Sequence, residues 1–146
     1  MTLGVGGWDT HGDNFRAPRD RLLPPLDRAL AALIGDLDAR GLLEETIVVC
    51  TGEFGRTPRV NGMAGRDHWA RSMAVLLAGG GIPGGALYGA TDDRGMAAVR
   101  DACSPDDLAA TVFRRLGFGP GHEVRSASGR PIPIFREGRV LEPLAG

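Results

Sequence analysis

The sequence predicts an α/β fold built on a mostly parallel sheet. Two apolar runs without alternation, at 46–51 and 73–78, are typical of parallel strands that are covered on both faces. A helical periodicity over residues 23–40 precedes the first run. The chain contains 23 glycines and only 5% aromatic residues, a composition that suits strands and helices joined by tight turns.

Length and charge exclude several classes of protein. With 146 residues the chain is long enough for one domain with its own core, and its net charge of −1 gives no general attraction to nucleic acid. The longest apolar runs are far shorter than the roughly 20 residues of a membrane-spanning helix. No signal peptide precedes the first predicted strand. The first residues resemble a segment from the middle of a domain, so we expect residues 1–146 to be a single, partial domain. We expect a cytoplasmic protein if Met1 is the true start.

The predicted elements follow in chain order. Residues 2–7 are predicted to form a short buried strand. Residues 23–40 form a helix because leucine and isoleucine recur at intervals of three and four, and Gly41 provides a left-handed stop. The segment Ser104–Leu116 is a second helix, which begins with a serine cap followed by proline.

The predicted strands at 2–7 and 46–51 each end in a polar cluster. Asp9 and His11 follow the first strand at a spacing of two, which places both side chains on one side of an extended backbone. Glu53 follows the second strand. Ligands of parallel sheets bind beyond the carboxyl ends of the strands, so we expect these three side chains to share one rim.

A third cluster lies in the loop 55–70, where Asp67 precedes His68. Adjacent side chains of an extended backbone point in opposite directions, so one would bind a metal while the other orients a partner. Carboxylates and imidazoles suit a divalent cation, here Zn²⁺, Ca²⁺, Mg²⁺ or Mn²⁺. The neighbouring Arg56 and Arg66 suit a phosphate or sulfate group. The predicted metal ligands are Asp9, His11, Glu53, Asp67 and His68.

Each cluster also has a simpler interpretation. The first would be a surface turn in which Asp9 caps a backbone N–H while His11 faces water. The second would be a salt bridge between Glu53 and Arg56. The third would be a solvated loop that Trp69 anchors. The sequence alone leaves these alternatives open.

Taken in order, the motifs resemble a known family. They are Gly6-Gly-Trp-Asp-Thr-His-Gly-Asp-Asn14, Gly52-Glu-Phe-Gly-Arg-Thr-Pro58, Gly65-Arg-Asp-His-Trp69, Leu77-Ala-Gly-Gly-Gly-Ile82 and Gly129-Arg-Pro131. The resemblance is to the bacterial family catalogued as domain of unknown function 1501, a sulfatase-like branch of the alkaline phosphatase superfamily. It covers nearly the whole chain, which resembles the C-terminal part of longer family members.

The resemblance implies an α/β/α sandwich around a mostly parallel sheet, of the alkaline phosphatase or sulfatase type. Members of that superfamily hydrolyse or transfer phosphate or sulfate esters at one or two metals, and members of the family are usually exported to the periplasm. Asp9 and His11 match its first ligand pair and His68 its last histidine. Glu53 falls where an aspartate is usual, and Phe54 replaces the histidine that normally follows it. The half that usually supplies the nucleophile has no counterpart here.

The sequence therefore predicts a metal-dependent hydrolase-type domain for phosphate or sulfate esters, lacking the nucleophile half. Glu53, Arg56 and Arg66 are the predicted catalytic residues. The alternatives are a non-catalytic module that binds anions or carbohydrates, and a structural remnant. Whether the chain turns over a substrate stays open. The expected partners are small-molecule or glycan esters and, through an exposed sheet edge, further copies of the chain; nucleic acid is not expected.

Overall fold

A computed structural model describes residues 1–119, 121–134 and 137–145. The helices are α1 (Leu23–Ala39), α2 (Pro105–Arg115) and α3 (Glu142–Ala145), with a π-helical turn at Pro18–Leu22 and a 3-10 turn at Leu43–Glu45. The strands are β1 (Ile47–Cys50), β2 (Gly55–Arg56), β3 (His68–Trp69), β4 (Leu76–Gly79), β5 (Ala90–Thr91), β6 (Ala98–Arg100), β7 (Glu123–Arg125) and β8 (Pro131–Pro133). Among these residues no helix is both long and apolar enough to cross a membrane.

The strands pair two by two and antiparallel. β1 pairs with β4, with Ile47 opposite Gly79 and Cys50 opposite Leu76. The other pairs are β2–β3, β5–β6 and β7–β8. The prediction of an α/β/α sandwich around a mostly parallel sheet, of the alkaline phosphatase or sulfatase type, is therefore wrong. A parallel pair needs a long crossover, usually a helix, whereas the segment 51–75 contains only the β2–β3 pair and brings the chain back in the opposite direction.

Both predicted helices are confirmed, and so is the core of the first apolar run. α1 occupies the segment predicted from the apolar periodicity, and Gly41 follows it with a φ of 68°. β1 lies within the run 46–51, whereas β4 begins at Leu76 rather than at Met73. Periodicity and capping are local signals, so they survive even where the pairing of the strands differs from the prediction.

The buried strand predicted for residues 2–7 is wrong. This segment pairs with no strand, and its Leu3 and Val5 are 71% and 60% exposed. β1 is likewise not covered on both faces, because Val49 is exposed. Both segments are apolar, but residues 2–7 are mostly exposed and β1 is only half-buried.

The best-packed part of the chain lies between α2 and the C-terminal segment. Ala110 and Thr111 on α2 are fully buried, and Leu141 and Ala145 are buried against them. The Thr111 hydroxyl donates to the Asp107 carbonyl at 2.7 Å and accepts the Leu141 amide at 2.9 Å. A buried hydroxyl satisfied in both roles fixes the C-terminal segment on the helix.

Much of the remaining apolar surface stays open to solvent. A folded monomer of 15.4 kDa is expected to expose roughly 7,200 Å², whereas this chain exposes 10412 Å². No residue of α1 is fully buried, and Leu23 and Leu33 on this helix are exposed. The helix is amphipathic, yet part of its apolar stripe lacks a covering layer.

The start of α2 gives a pH-dependent prediction. Asp107 accepts the Ser104 amide at 2.9 Å and the Arg139 amide at 2.8 Å, and these two hydrogen bonds, in that order, lower the pKa of its carboxyl. A lowered folded-state pKa stabilises the fold above the unfolded pKa, and the effect is lost as the pH falls through the folded value. We expect Asp107→Asn to lower the free energy of unfolding at neutral pH by about 1 kcal/mol. The difference from wild type should vanish in acid, as measured by urea unfolding.

Asp106→Asn is the matched control, since Asp106 lies in the same first turn of α2. An equal loss in both variants would assign the effect to the general charge of the turn. A deficit of Asp107→Asn that persists unchanged at low pH would contradict the ionised hydrogen bond.

Candidate metal centre

Two loop segments, 8–14 and 61–67, lie side by side and build the site. Three backbone hydrogen bonds of 2.9 to 3.2 Å join them, from the amides of Asp13, Asn14 and Arg66 to the carbonyls of Met63, Ala64 and Thr10. Gly65 is buried at this junction, where a Cβ atom would lie 1.8 Å from the His11 carbonyl oxygen. Only glycine permits this approach, which brings two segments about fifty residues apart in the chain into register.

Three ligand atoms form a compact triangle beside this junction. The Nε2 atom of His68 lies 2.8 Å from Oδ1 of Asp9 and 3.1 Å from Nε2 of His11, and the third side, from His11 Nε2 to Asp9 Oδ1, is 3.0 Å. Atoms bound tetrahedrally to one zinc ion at about 2.1 Å lie about 3.4 Å apart. The triangle is therefore close to the spacing of atoms that share a cation, and these three residues could hold one.

The three side chains of this triangle carry too few protons to form a hydrogen bond along each of its sides. The Nδ1 atom of His11 lies 2.8 Å from the Asp67 carboxylate, which only accepts, so the proton of a neutral His11 ring sits on Nδ1. Its Nε2 atom then offers a bare lone pair to the Asp9 carboxylate, which is also an acceptor. His68 has one Nε2 proton for two acceptors. A cation facing all three lone pairs would remove this mismatch, so the donor set fits a metal ion.

Arg56 holds the carboxylate corner of the triangle. Its guanidinium donates to Asp9 Oδ1 at 2.5 Å and to the Trp8 carbonyl at 3.3 Å, and its side chain is only 21% exposed. The hydrogen bonds from His68 and then Arg56 lower the pKa of Asp9 to about 2. Asp9 is therefore an anion throughout the physiological range, as a metal ligand must be.

Aromatic packing supports the His68 corner. The Phe54 ring lies against the His68 imidazole, with 4.5 Å between ring centroids. The position where the family resemblance implies a histidine thus carries a ring that supports His68 from the side. The pairing of β2 with β3 sets Gly55 opposite Trp69 and Arg56 opposite His68, and Phe54 directly precedes β2.

Asp67 takes a different position from that of a ligand. Its carboxylate contacts Nδ1 of His11, on the side of the ring that faces away from the triangle. Of the two roles that the sequence allowed for Asp67, the geometry favours the orienting one. The hydrogen bonds from His11 and then Asn61 lower the pKa of Asp67, so it too is ionised.

Glu53 and Arg66 are not brought to the triangle. Glu53 is exposed and lies outside the ligand group found among the described residues. Arg66 donates through Nη1 to the carbonyls of Thr57 and Pro58, at 2.6 and 2.5 Å. Its guanidinium also lies over the Phe15 ring, 5.5 Å from the centroid, so its contacts hold the loop together. Their catalytic roles stay predictions that these contacts do not support.

The rim expected from two parallel strands does not exist. Asp9 and His11 reach His68 through the pairing of two loops, and the strand expected to carry them is absent. Sequence reasoning also missed Asn61, whose side chain contacts both His11 and Asp67. The Asn61-Gly62 dipeptide is a turn signal that could have directed attention to it.

The chain belongs to the family described as Protein of unknown function (DUF1501), whose family model matches residues 1–145. This confirms the family that the motifs resemble. The chain matches no curated protein and no solved structure at a significant level. The chemistry of the site has therefore to be derived from its own residues.

The junction at Gly65 gives a direct structural prediction. Gly65→Ala would force a methyl group against the His11 carbonyl, and backbone on both sides leaves little room to give. We expect a loss of about 1–3 kcal/mol in the free energy of unfolding, together with altered amide chemical shifts in 8–14. Gly62→Ala is the control, because nothing lies within 4 Å of its added Cβ. Equal stability of the two variants would show that the segments do not approach so closely in solution.

Proposed function

We propose that this chain carries a metal-dependent, hydrolase-type site for phosphate or sulfate esters. The observation that supports the proposal best is the triangle of Asp9, His11 and His68, whose lone pairs outnumber the protons between them. Two imidazoles and one carboxylate form a donor set that favours Zn²⁺ or Mn²⁺ over Ca²⁺ and Mg²⁺. Three protein ligands on an open surface leave coordination positions for a substrate.

The charges around the triangle favour an anionic substrate. A divalent cation together with Arg56 would outweigh the carboxylates of Asp9 and Asp67 and leave the site positive. A cation bound there would act as a Lewis acid toward an ester oxygen. Arg56 lies beside the ligand that would hold it, so its guanidinium is available to stabilise charge on a neighbouring oxyanion. The ester chemistry also agrees with the sulfatase-like branch that the motifs resemble, although the proposal rests on the site and not on a shared fold.

A specific observation favours a second candidate, a non-catalytic module for anions or carbohydrates. Among the described residues, no serine or threonine hydroxyl donates to the triangle; Thr10, which lies between Asp9 and His11 in the chain, is buried and its hydroxyl contacts Asn14 and the Trp8 carbonyl. Hydrolysis would then need water as the nucleophile or a group supplied from outside these residues. Binding without turnover is the outcome that distinguishes this candidate.

Metal content tests the site. The purified protein is incubated with Zn²⁺ or Mn²⁺ and desalted. We expect it to retain close to one equivalent of metal, measured by inductively coupled plasma mass spectrometry. The Asp9→Ala/His11→Ala double variant should retain none, because two of three ligands are gone. His122→Ala serves as the control, since His122 packs against Phe118 and is not part of the ligand group. Metal that persists in the double variant, or is equally reduced in the control, would contradict the assignment.

The same loaded samples separate the two candidates. Turnover of an aryl phosphate or an aryl sulfate by wild type, absent in the double variant, would establish the hydrolase. Binding of inorganic phosphate or sulfate that depends on metal, without turnover of either ester, would favour the binding module.

We also propose that the chain associates with further copies of itself through its open sheet edges. β1 and β4 form a two-stranded sheet, so each retains one unpaired edge, and Val49 and Leu76 on these strands are exposed. The surface in excess of that of a folded monomer is about 3,000 Å² per chain, which exceeds the roughly 1,000–2,500 Å² per partner that obligate interfaces commonly bury. A net charge of −1 gives little repulsion between copies.

Sedimentation velocity tests the association. We expect species heavier than 15.4 kDa at micromolar concentration, reduced by Val49→Lys/Leu76→Lys because charges on an edge oppose strand pairing. Leu87→Lys is the control, since Leu87 is fully exposed and belongs to no strand. A wild-type protein that is monomeric throughout would overturn the proposal, and an equal effect of the control would remove the role of the edge.

A further inference from the structure

The side chain of Asn61 contacts His11 directly at its carbonyl, and it also contacts Asp67, which binds the His11 ring. Its Nδ2 group donates to the His11 carbonyl at 3.0 Å and to Asp67 Oδ1 at 3.1 Å. The same Asp67 oxygen accepts the Nδ1 proton of His11 at 2.8 Å. One amide group therefore holds both the backbone of His11 and the carboxylate that orients its ring.

We propose that Asn61 is a positioning residue, which acts through Asp67 to keep the His11 ring in the tautomer and orientation that direct Nε2 to the triangle. The inference deepens the proposed metal site and rests on it for its purpose. Its geometry rests on the contacts of Asn61 with His11 and Asp67.

The need for such a residue follows from exposure. The side chains of His11 and Asp67 are 40% and 53% exposed, so packing alone does not fix their rotamers. Thr57 anchors the Asp67 backbone on both sides, accepting its amide at the hydroxyl and donating to its carbonyl. The carboxylate itself can still rotate, and among the described residues only Asn61 and His11 hydrogen-bond to it. Without the Asn61 amide, one of its two constraints is lost.

The oxygen of the Asn61 side chain has a purely structural role. This Oδ1 atom accepts the amides of Met63 and Gly65, both at 2.9 Å, and thereby closes the turn 61–65. The two roles use different atoms of the same side chain. A substitution that keeps the acceptor and removes the donor therefore separates a positioning role from a structural one.

Asn61→Asp is that substitution. One carboxylate oxygen can still accept the two turn amides, while the other places an acceptor against the His11 carbonyl and the Asp67 carboxylate. The matched control is Asn14→Asp, which adds the same charge in the paired segment. Asn14 uses its side-chain oxygen to accept the Thr10 hydroxyl, a contact that aspartate can keep.

Two measurements decide the proposal. In metal-free protein, at a pH where imidazoles are neutral, ¹⁵N spectra of the ring nitrogens should show His11 protonated at Nδ1 in wild type and in Asn14→Asp. In Asn61→Asp we expect a mixture of the two tautomers. Zinc affinity, measured by competition with a chromogenic chelator, should fall about 10-fold in Asn61→Asp relative to Asn14→Asp.

The outcomes separate the two levels of the hypothesis. A His11 tautomer and a zinc affinity that are the same in both variants would overturn the positioning role. A wild type that binds no zinc but loses its single tautomer only in Asn61→Asp would support the positioning role while the proposed metal function fails. If Asn61→Asp is unfolded while Asn14→Asp is folded, this would overturn the separation of a positioning role of Asn61 from its structural role.

Discussion

The approach of Gly65 to the His11 carbonyl is the constraint on which the candidate site depends. Asp9 and His11 lie on one loop and His68 follows the other, and neither loop belongs to a sheet that would fix its position. Backbone hydrogen bonds and a contact that tolerates no side chain keep the two loops at one distance. The ligand triangle is thus positioned by main-chain geometry, which is less mobile than exposed side chains.

Around that junction, each ionic group restrains another. Arg56 holds Asp9, Asp67 holds the distal nitrogen of His11, and Phe54 packs against His68. These contacts leave the lone pairs on the inner side of the triangle facing one another. Side chains that neighbouring groups hold in place at every corner are typical of a preorganised site.

The apolar surface of the rest of the chain is covered only in part. Among the described residues the buried apolar core is small and lies mainly at α2 and the C-terminal segment, and α1 has no buried residue. The hydrophobic effect favours covering such surface, so the exposed apolar residues of α1 and β1 are where the proposed association between copies would gain free energy. Site and core therefore rely on different forces, hydrogen bonds and ion pairs in one and apolar burial in the other.

The sequence by itself determined what is local: the spans of α1 and α2, the cap at Ser104, the strand β1, the family, and the residue types that suit a cation. Tertiary structure decided how these parts meet. A continuous apolar run does not encode the direction of its partner, so the antiparallel β1–β4 pair was not predictable from it. Nor does spacing along the chain reveal that Asp67 faces the distal side of His11 or that Glu53 stays apart. These positions depend on which loops lie next to each other in the fold. Here Gly65, which has no Cβ atom, permits the close approach of the two loops.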